Sequence, residues 1–413
     1  MREAHDEHRI ERPTPAGHSR RDFIVSAAAA AAAVAGTGAA SLLHAQNAQP
    51  TPRGNTRMPN ANVKGPYPAE GMAAYAPTGP HKRMTFQRRA LGPKDVAIKI
   101  HYGAICHSDI HTIHEDWGPV TFPQIVGHEI TGTVVEVGSS ASKFAVGARV
   151  GVGTMVNSCR VCAECQAGHE NYCLAGNVQT YASKDRDGTI TQGGYSTFIV
   201  VDEDFVIRVP DALDLAAAAP LMCAGITVYS PLRHWGVSAG KRVAIVGMGG
   251  LGHLAVKLAS ALGAEVTVFT TSPEKASDAK RFGARNVVVN RDGADFAQYR
   301  HAFDFALDTV PYKHDLNRFI PMLKRDATYC RVGVGNVADS NEIGQMGLVM
   351  YRNALAGSNT GGIRETQDLV DFCALHRIQP EITKIAMDGI DDAWTKVVAK
   401  QARYRFVIDV QGR

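Results

Sequence analysis

From about residue 62 onward, apolar and polar positions settle into short, regular runs. Residues 95–101, 130–137, 149–152 and 196–201 read as strands, punctuated by glycine turns such as Gly138 and Gly147. Short strands at such close spacing predict a compact β-rich domain. The rhythm changes after Pro210. An alanine-rich stretch, 214–219, reads as a helix, and from Lys241 apolar strands alternate with helical segments: RVAIVGMG, LGHLAVKLASALG, EVTVFTT and PEKASDAKRFG. That is a βαβ unit. With further strands at 286–289, 303–308 and 328–333, the pattern predicts a parallel sheet of about six strands. A helix over 365–376 and a strand over 405–410 close the chain, and their spacing alone does not say which domain they join.

The first 48 residues follow a different pattern. Ser19, Arg20, Arg21, Asp22 and Phe23 precede an uncharged, alanine-dominated run to about Leu43. An arginine pair directly before such a weakly apolar stretch predicts a twin-arginine-type signal peptide over 1–48, cleaved near Ala45 or Ala48, and a linker over 49–75. The competing reading is a single membrane anchor, but alanine and glycine contribute little to insertion free energy, so no stable span is expected after cleavage. A periplasmic destination and a twin-arginine export partner follow. Starts at Met58 or Met72 would instead leave a cytoplasmic protein.

Composition narrows the function. The 413 residues leave room for two domains, and 45% hydrophobic with 20% charged is ordinary for a soluble chain. A net charge of +4 without any basic run gives a nucleic-acid role no support.

Four of the eight cysteines, Cys159, Cys162, Cys165 and Cys173, lie in CRVCAECQAGHENYC. That spacing suits a closed tetrahedral zinc; disulfides or chance clustering are the competing readings. A second signal is the turn Gly247, Met248, Gly249, Gly250, Leu251, Gly252, which follows a strand and opens a helix. The three motif glycines serve a tight turn, approach of a pyrophosphate and close helix packing, so the turn predicts dinucleotide binding. The next strand ends in Thr270, Thr271, Ser272, then Pro273, Glu274 and Lys275, where an NAD site would normally place an acid. Three hydroxyls and a lysine suit the 2′-phosphate of NADP(H). Dispersed Cys106, His128, Glu129 and Cys223 form a further candidate metal set, none compelling alone.

In this company the chain resembles the zinc-dependent medium-chain alcohol dehydrogenases, in particular their cinnamyl-alcohol-dehydrogenase-like aldehyde reductase branch. The resemblance runs from about residue 80 to the C-terminus through GHEI, C-x2-C-x2-C-x7-C, DGTITQGGYS, PLMCAGITVYSPL, VGMGGLGHLAVK and RYRFVIDV. It implies an α/β chain with a GroES-like β-rich catalytic domain over 76–222, a Rossmann doubly wound parallel sheet over 223–356, a return segment of the catalytic domain over 357–413, and a homodimer. It also implies two Zn²⁺ per chain. Cys106, His128 and Cys223 would hold the catalytic ion, a ligand set known for alcohol dehydrogenases, with Glu129 as a transient fourth ligand and the four-cysteine lobe holding a structural ion. Asp109 would accept from the other nitrogen of His128. Ser108 and His111 would relay a proton from the substrate oxygen, and Thr227 would face the nicotinamide. Trp117 falls where the family lines its substrate pocket, whereas Val178 stands where the plant enzymes lead one to expect an aromatic. The expected activity is therefore hydride transfer between NADP(H) and a broad range of aldehydes or primary alcohols. A non-turnover periplasmic zinc and nucleotide-binding protein is the alternative.

Overall fold

The computed structural model describes residues 65–289 and 296–412. The signal peptide and most of the linker expected before residue 76 lie outside the described residues. The linker's last part does not: Tyr67–Ala74 pairs antiparallel with His81–Arg88 as a hairpin. Its alternation is interrupted by Pro68 and Gly71, which hid it from a periodicity reading. Met72 lies inside this strand, buried and donating its backbone N–H to the Tyr195 carbonyl at 2.8 Å. A chain starting there would lack five of the strand's eight residues.

The β-rich half is a seven-stranded sheet. Its path runs Ile382–Ala386, Arg405–Asp409, Asp95–Ala104, Ile130–Val137, Arg149–Val152, Ile207–Arg208, with Phe198–Asp202 also pairing with Asp95–Ala104. Val96, Ile98, Ile100, Ile130, Val134 and Val150 point into one core. Strands here are half-apolar, as antiparallel sheets with one solvated face are.

The second half is a six-stranded sheet in the order Asn286–Val289, Glu265–Thr270, Arg242–Val246, Phe303–Asp308, Leu323–Arg331, Ala354–Gly357, every neighbouring pair parallel. Both faces are covered. Val243, Ile245, Val266 and Leu307 pack on one side beneath helices Ala224–His234 and Gly252–Ala261, while Ala244, Val246, Phe269 and Tyr329 pack on the other. Burial on both faces explains why these strands read as unbroken apolar runs. The α/β architecture, a GroES-like β-rich part beside a doubly wound parallel sheet, is the expected one.

The C-terminal segment divides between the two halves. Strand Arg405–Asp409 joins the β-rich sheet, antiparallel to Asp95–Ala104. Helix Ile363–His376, expected to belong with the catalytic domain, instead sends Leu369, Val370 and Cys373 into the core shared with the nucleotide-binding half. Its Gln367 amide bonds strand Ile207–Arg208 in both directions, accepting from Arg208 N at 2.8 Å and donating to Arg208 O at 3.1 Å. The helix thus fastens one half to the other. Strand Ile382–Ala386, parallel to Arg405–Asp409, has a weak pattern because its exposed positions include Thr383 and Lys384.

Candidate active site

Cys106 ends strand Asp95–Ala104 after one intervening residue and caps helix His107–Ile113. The third helical residue, Asp109, reaches back to accept from the Cys106 backbone N–H at 2.9 Å, the reciprocal half of a capping box. His128 and Glu129 stand just before strand Ile130–Val137, after Gly127 at φ +105°. A Cβ at Gly127 would lie 2.6 Å from the Tyr195 ring, so only glycine lets the turn bring His128 inward. Cys223 caps helix Ala224–His234.

These elements bring Cys106, His128, Glu129 and Cys223 together, their ligand atoms all within 4.8 Å of one another and every residue buried. The two sulfurs are 3.9 Å apart. A hydrogen bond from Cys223 pulls the Cys106 thiol well below its usual value, while Cys223 is pushed well above its own. His128 Nε2 is buried without a hydrogen-bond partner. An orphaned imidazole nitrogen beside two thiols is a poor arrangement for a dry core and a suitable one for Zn²⁺.

Glu129 is placed differently from the transient ligand expected of it. Its Oε1 accepts from Ala224 N at 3.0 Å and its Oε2 pairs with the buried Arg405 guanidinium, so both oxygens are engaged. Burial opposes the Arg405 charge, but Glu129 and the two sulfurs more than offset it. Arg405 also lies against the glycine turn, its Cδ 2.9 Å from where a Gly250 Cβ would be. It therefore links the metal cluster to the dinucleotide site, a role the sequence reading did not assign.

Asp109 also departs from expectation. Its Oδ1 lies 3.8 Å from His128 Nδ1, an electrostatic contact and not a hydrogen bond. Asp109 is fully buried, and burial is the main reason its carboxyl is raised.

Ser108 Oγ is 3.5 Å from the Cys106 sulfur, and Thr227 Oγ1 is 4.0 Å from the Cys223 sulfur. His111 is stacked between His107, at 5.0 Å, and Trp117, at 5.3 Å. Among the described residues no hydrogen bond joins Ser108 to His111. Instead His111 Nδ1 meets Asp116 Oδ2 at 2.7 Å, and that hydrogen bond is the main reason the Asp116 carboxyl is lowered. The sequence reading missed Asp116, five residues from His111 beyond the helix end. Trp117 donates to the Gly335 carbonyl at 2.8 Å, closing this loop against the other half of the molecule. Val178 is buried in a two-residue strand paired with Met155–Asn157.

The glycine turn divides its labour as the motif requires. Gly247 has φ +96°, and its N–H donates to the Phe269 carbonyl at 2.9 Å. A Cβ on Gly252 would come within 2.2 Å of the Gly247 carbonyl oxygen, whereas a Cβ on Gly249 would meet nothing within 4 Å. The open side at Gly249 leaves room for a pyrophosphate at the N-terminus of helix Gly252–Ala261, which Leu251 caps. Two substitutions separate these roles. Gly252→Ala overpacks backbone at a cost of about 1–3 kcal/mol, and should lower Tm and weaken NADPH binding together. Gly249→Ala should weaken NADPH binding with Tm unchanged, as read by calorimetry and fluorescence titration.

At the end of strand Glu265–Thr270 the four candidate residues are not equivalent. Thr270 is buried and its hydroxyl accepts from Ser272 N at 3.1 Å, while Thr271 is exposed and Ser272 half-buried. The short turn Pro273–Lys275 carries Lys275 inward, where its amine lies 3.5 Å from the Lys400 carbonyl and 5.8 Å from the Tyr404 ring. Arg403 donates to the Glu274 carbonyl at 2.6 Å. The C-terminal segment thus adds Lys400 and Arg403 to a basic corner that the sequence reading credited to Lys275 alone.

The four sulfurs of Cys159, Cys162, Cys165 and Cys173 also lie within 4.8 Å of one another. Backbone N–H groups point at them: Cys162 N to Cys159 Sγ at 3.3 Å, Leu174 N to Cys162 Sγ and Cys159 N to Cys173 Sγ, both at 3.4 Å. Such donors favour thiolates, and no disulfide joins any of the eight cysteines. The lobe rests on the start of helix Ile363–His376, with Glu170 Oε2 accepting from Ile363 N at 3.1 Å and Asn171 donating to Thr360 O at 2.8 Å. Cys330 and Cys373 are fully buried and stand apart from both clusters.

Comparison with known proteins agrees with this arrangement. Residues 92–211 match the alcohol dehydrogenase GroES-like domain and residues 250–374 the zinc-binding dehydrogenase family. The chain is 50% identical over 338 residues to NADP-dependent alcohol dehydrogenase C 1 of Mycolicibacterium smegmatis, covering 82% of this chain and 96% of that one. It is 46% identical over 344 residues to aldehyde reductase YahK of Escherichia coli, covering 82% and 97%. Among solved structures, the Helicobacter pylori CAD complexed with NADP(H) superposes with a TM-score of 0.79 at 39% identity, covering 83% of this chain and 98% of that one.

Proposed function

Because the chain belongs to the zinc-dependent medium-chain alcohol dehydrogenases, in their cinnamyl-alcohol-dehydrogenase-like aldehyde reductase branch, we propose that it works mainly as a broad-range aldehyde reductase. It is an NADP-dependent alcohol dehydrogenase. The observation that carries the proposal is the buried convergence of two cysteine sulfurs and the free His128 Nε2 in the same molecule as the open glycine turn.

Cys106, His128 and Cys223 would hold a catalytic ion, and the four-cysteine lobe a structural one. Bound zinc supplies Lewis acidity toward the substrate oxygen, and NADPH supplies the hydride. The protein does the rest. The Gly247–Gly252 turn fixes the pyrophosphate, and Arg405 stands between that turn and Glu129. Thr227, half-buried, lies one helical turn beyond Cys223 with its hydroxyl 4.0 Å from the Cys223 sulfur. Ser108 lies on the sulfur side, while His111 is held at Nδ1 by Asp116, leaving its Nε2 to exchange a proton. Burial of the cluster excludes water and strengthens these interactions.

The expected result is NADPH oxidation with aromatic and medium aliphatic aldehydes, faster than with NADH. Absence of turnover across an aldehyde panel by metal-loaded protein would overturn the reading. Lys275→Ala should raise KM for NADPH about tenfold while leaving KM for NADH unchanged, by loss of one charge-assisted contact. Equal effects on both cofactors would remove Lys275 from the 2′-phosphate site.

Two further readings belong to the proposal. Strand Ala354–Gly357 is the edge of the parallel sheet, and the nearby Met346, Val349, Met350 and Leu355 are exposed. An apolar, unpaired edge suits pairing with a second copy, so a homodimer is proposed. Sedimentation should show a dimer that Leu355→Lys weakens; a native monomer would contradict it. Export by the twin-arginine route is supported by Arg20, Arg21 and the alanine run. N-terminal sequencing of the native protein should find a start within residues 46–49.

A further inference from the structure

The buried Tyr195, in the GGYS segment, reaches the back of the metal cluster. Its hydroxyl donates to Asp109 Oδ2 at 2.8 Å and receives the indole N–H of Trp394 at 3.4 Å. An indole nitrogen can only donate, so the tyrosine oxygen accepts from it and its one proton is directed at Asp109. The direction of the chain from Trp394 to Tyr195 to Asp109 is thereby fixed. Asp109 Oδ2 takes this bond together with the Cys106 backbone N–H. Oδ1 is left for the Gly127 N–H, at 3.2 Å, and for His128 Nδ1.

We infer that Tyr195 is a positioning residue for the catalytic metal: by pinning Asp109 Oδ2 it turns Oδ1 toward His128 Nδ1 and leaves Nε2 aimed at the ion. The inference rests on the catalytic-metal reading of Cys106, His128 and Cys223. Tyr195 is itself held rigidly. It has no exposed surface, its N–H donates to Val126 O at 3.0 Å, and its carbonyl accepts from Met72 in the N-terminal hairpin. Trp394, on helix Ile390–Val398, meets the edge of His81 at 4.5 Å, and His81 Nδ1 pairs with Asp391 at 2.6 Å. Two segments distant from the cluster in sequence, the hairpin and the C-terminal helix, close over its outer support.

Partners behind a metal-ligating histidine typically govern metal affinity by about 10- to 100-fold. The test challenges zinc-loaded enzyme with a chromophoric chelator and follows release of each ion, with His128→Asn identifying the phase that belongs to the catalytic cluster. In Tyr195→Phe that phase should accelerate about tenfold, with release from the four-cysteine lobe unchanged. Trp394→Phe, which keeps the hydroxyl but frees its orientation, should accelerate the same phase alone and by less, and covers the case in which Tyr195→Phe does not fold. Native release from both sites, or both accelerating together as in a general loosening, would overturn the inference. If His128→Asn left wild-type release untouched, the catalytic-metal reading would fall first and take the inference with it.

Discussion

Cys223→Ser is expected to reduce kcat/KM by about a thousandfold or more, the loss that follows when several kcal/mol of Lewis-acid stabilisation are removed. The fold should survive. Cys223 contributes its sulfur to the buried cluster and its backbone to the start of helix Ala224–His234, where it makes no side-chain capping bond. Serine is a favoured residue at that position, so the helix should be no weaker. Metal analysis should therefore find the four-cysteine lobe still loaded and the other site depleted, with Tm little changed. His128→Ala should behave alike in activity, since it removes the only imidazole among the four clustered residues. Substantial turnover by metal-loaded Cys223→Ser would contradict the assignment.

The opposite pattern is expected of Cys159→Ser. Structural zinc sites in small peptides supply roughly 10–16 kcal/mol, a magnitude that rivals the whole stability of a domain. Loss of that ion should loosen the lobe around 158–174. With it go the anchors that Glu170 and Asn171 give to the start of helix Ile363–His376. Because that helix fastens the two halves, the effect should spread: Tm should fall by about 10 °C or more, and limited proteolysis should open the lobe first. The protein that remains folded should keep its catalytic cluster, since no cysteine is shared between the two sets. An unchanged Tm with the lobe still resistant to protease would show that the four cysteines hold nothing.

Read from spacing, the two metal sets differ greatly in visibility. The four cysteines fall within fifteen residues, so local backbone alone brings their sulfurs together. Cys106 and Cys223 are 117 positions apart, and neither was compelling without the company of the other motifs and the family resemblance. The same distance effect hid Arg405, which pairs with Glu129 across 276 positions, and the bond from Trp394 to Tyr195 across 199. Lys275 shows a subtler limit. Its place beside the strand end was legible, but which way a one-turn helix directs the amine depends on what packs beneath it, here Tyr404 and Lys400.

By itself the sequence determined the alternation of strands and helices in the nucleotide-binding half, the glycine turn and the four-cysteine lobe. Each depends on residues close together in the chain, where period, turn chemistry and ligand spacing act directly. Tertiary structure alone decided that Glu129 is engaged by Arg405, that Asp109 faces His128 across 3.8 Å, and that helix Ile363–His376 serves both halves. Those are contacts between segments far apart in sequence, chosen by packing and by the need of buried charges for partners.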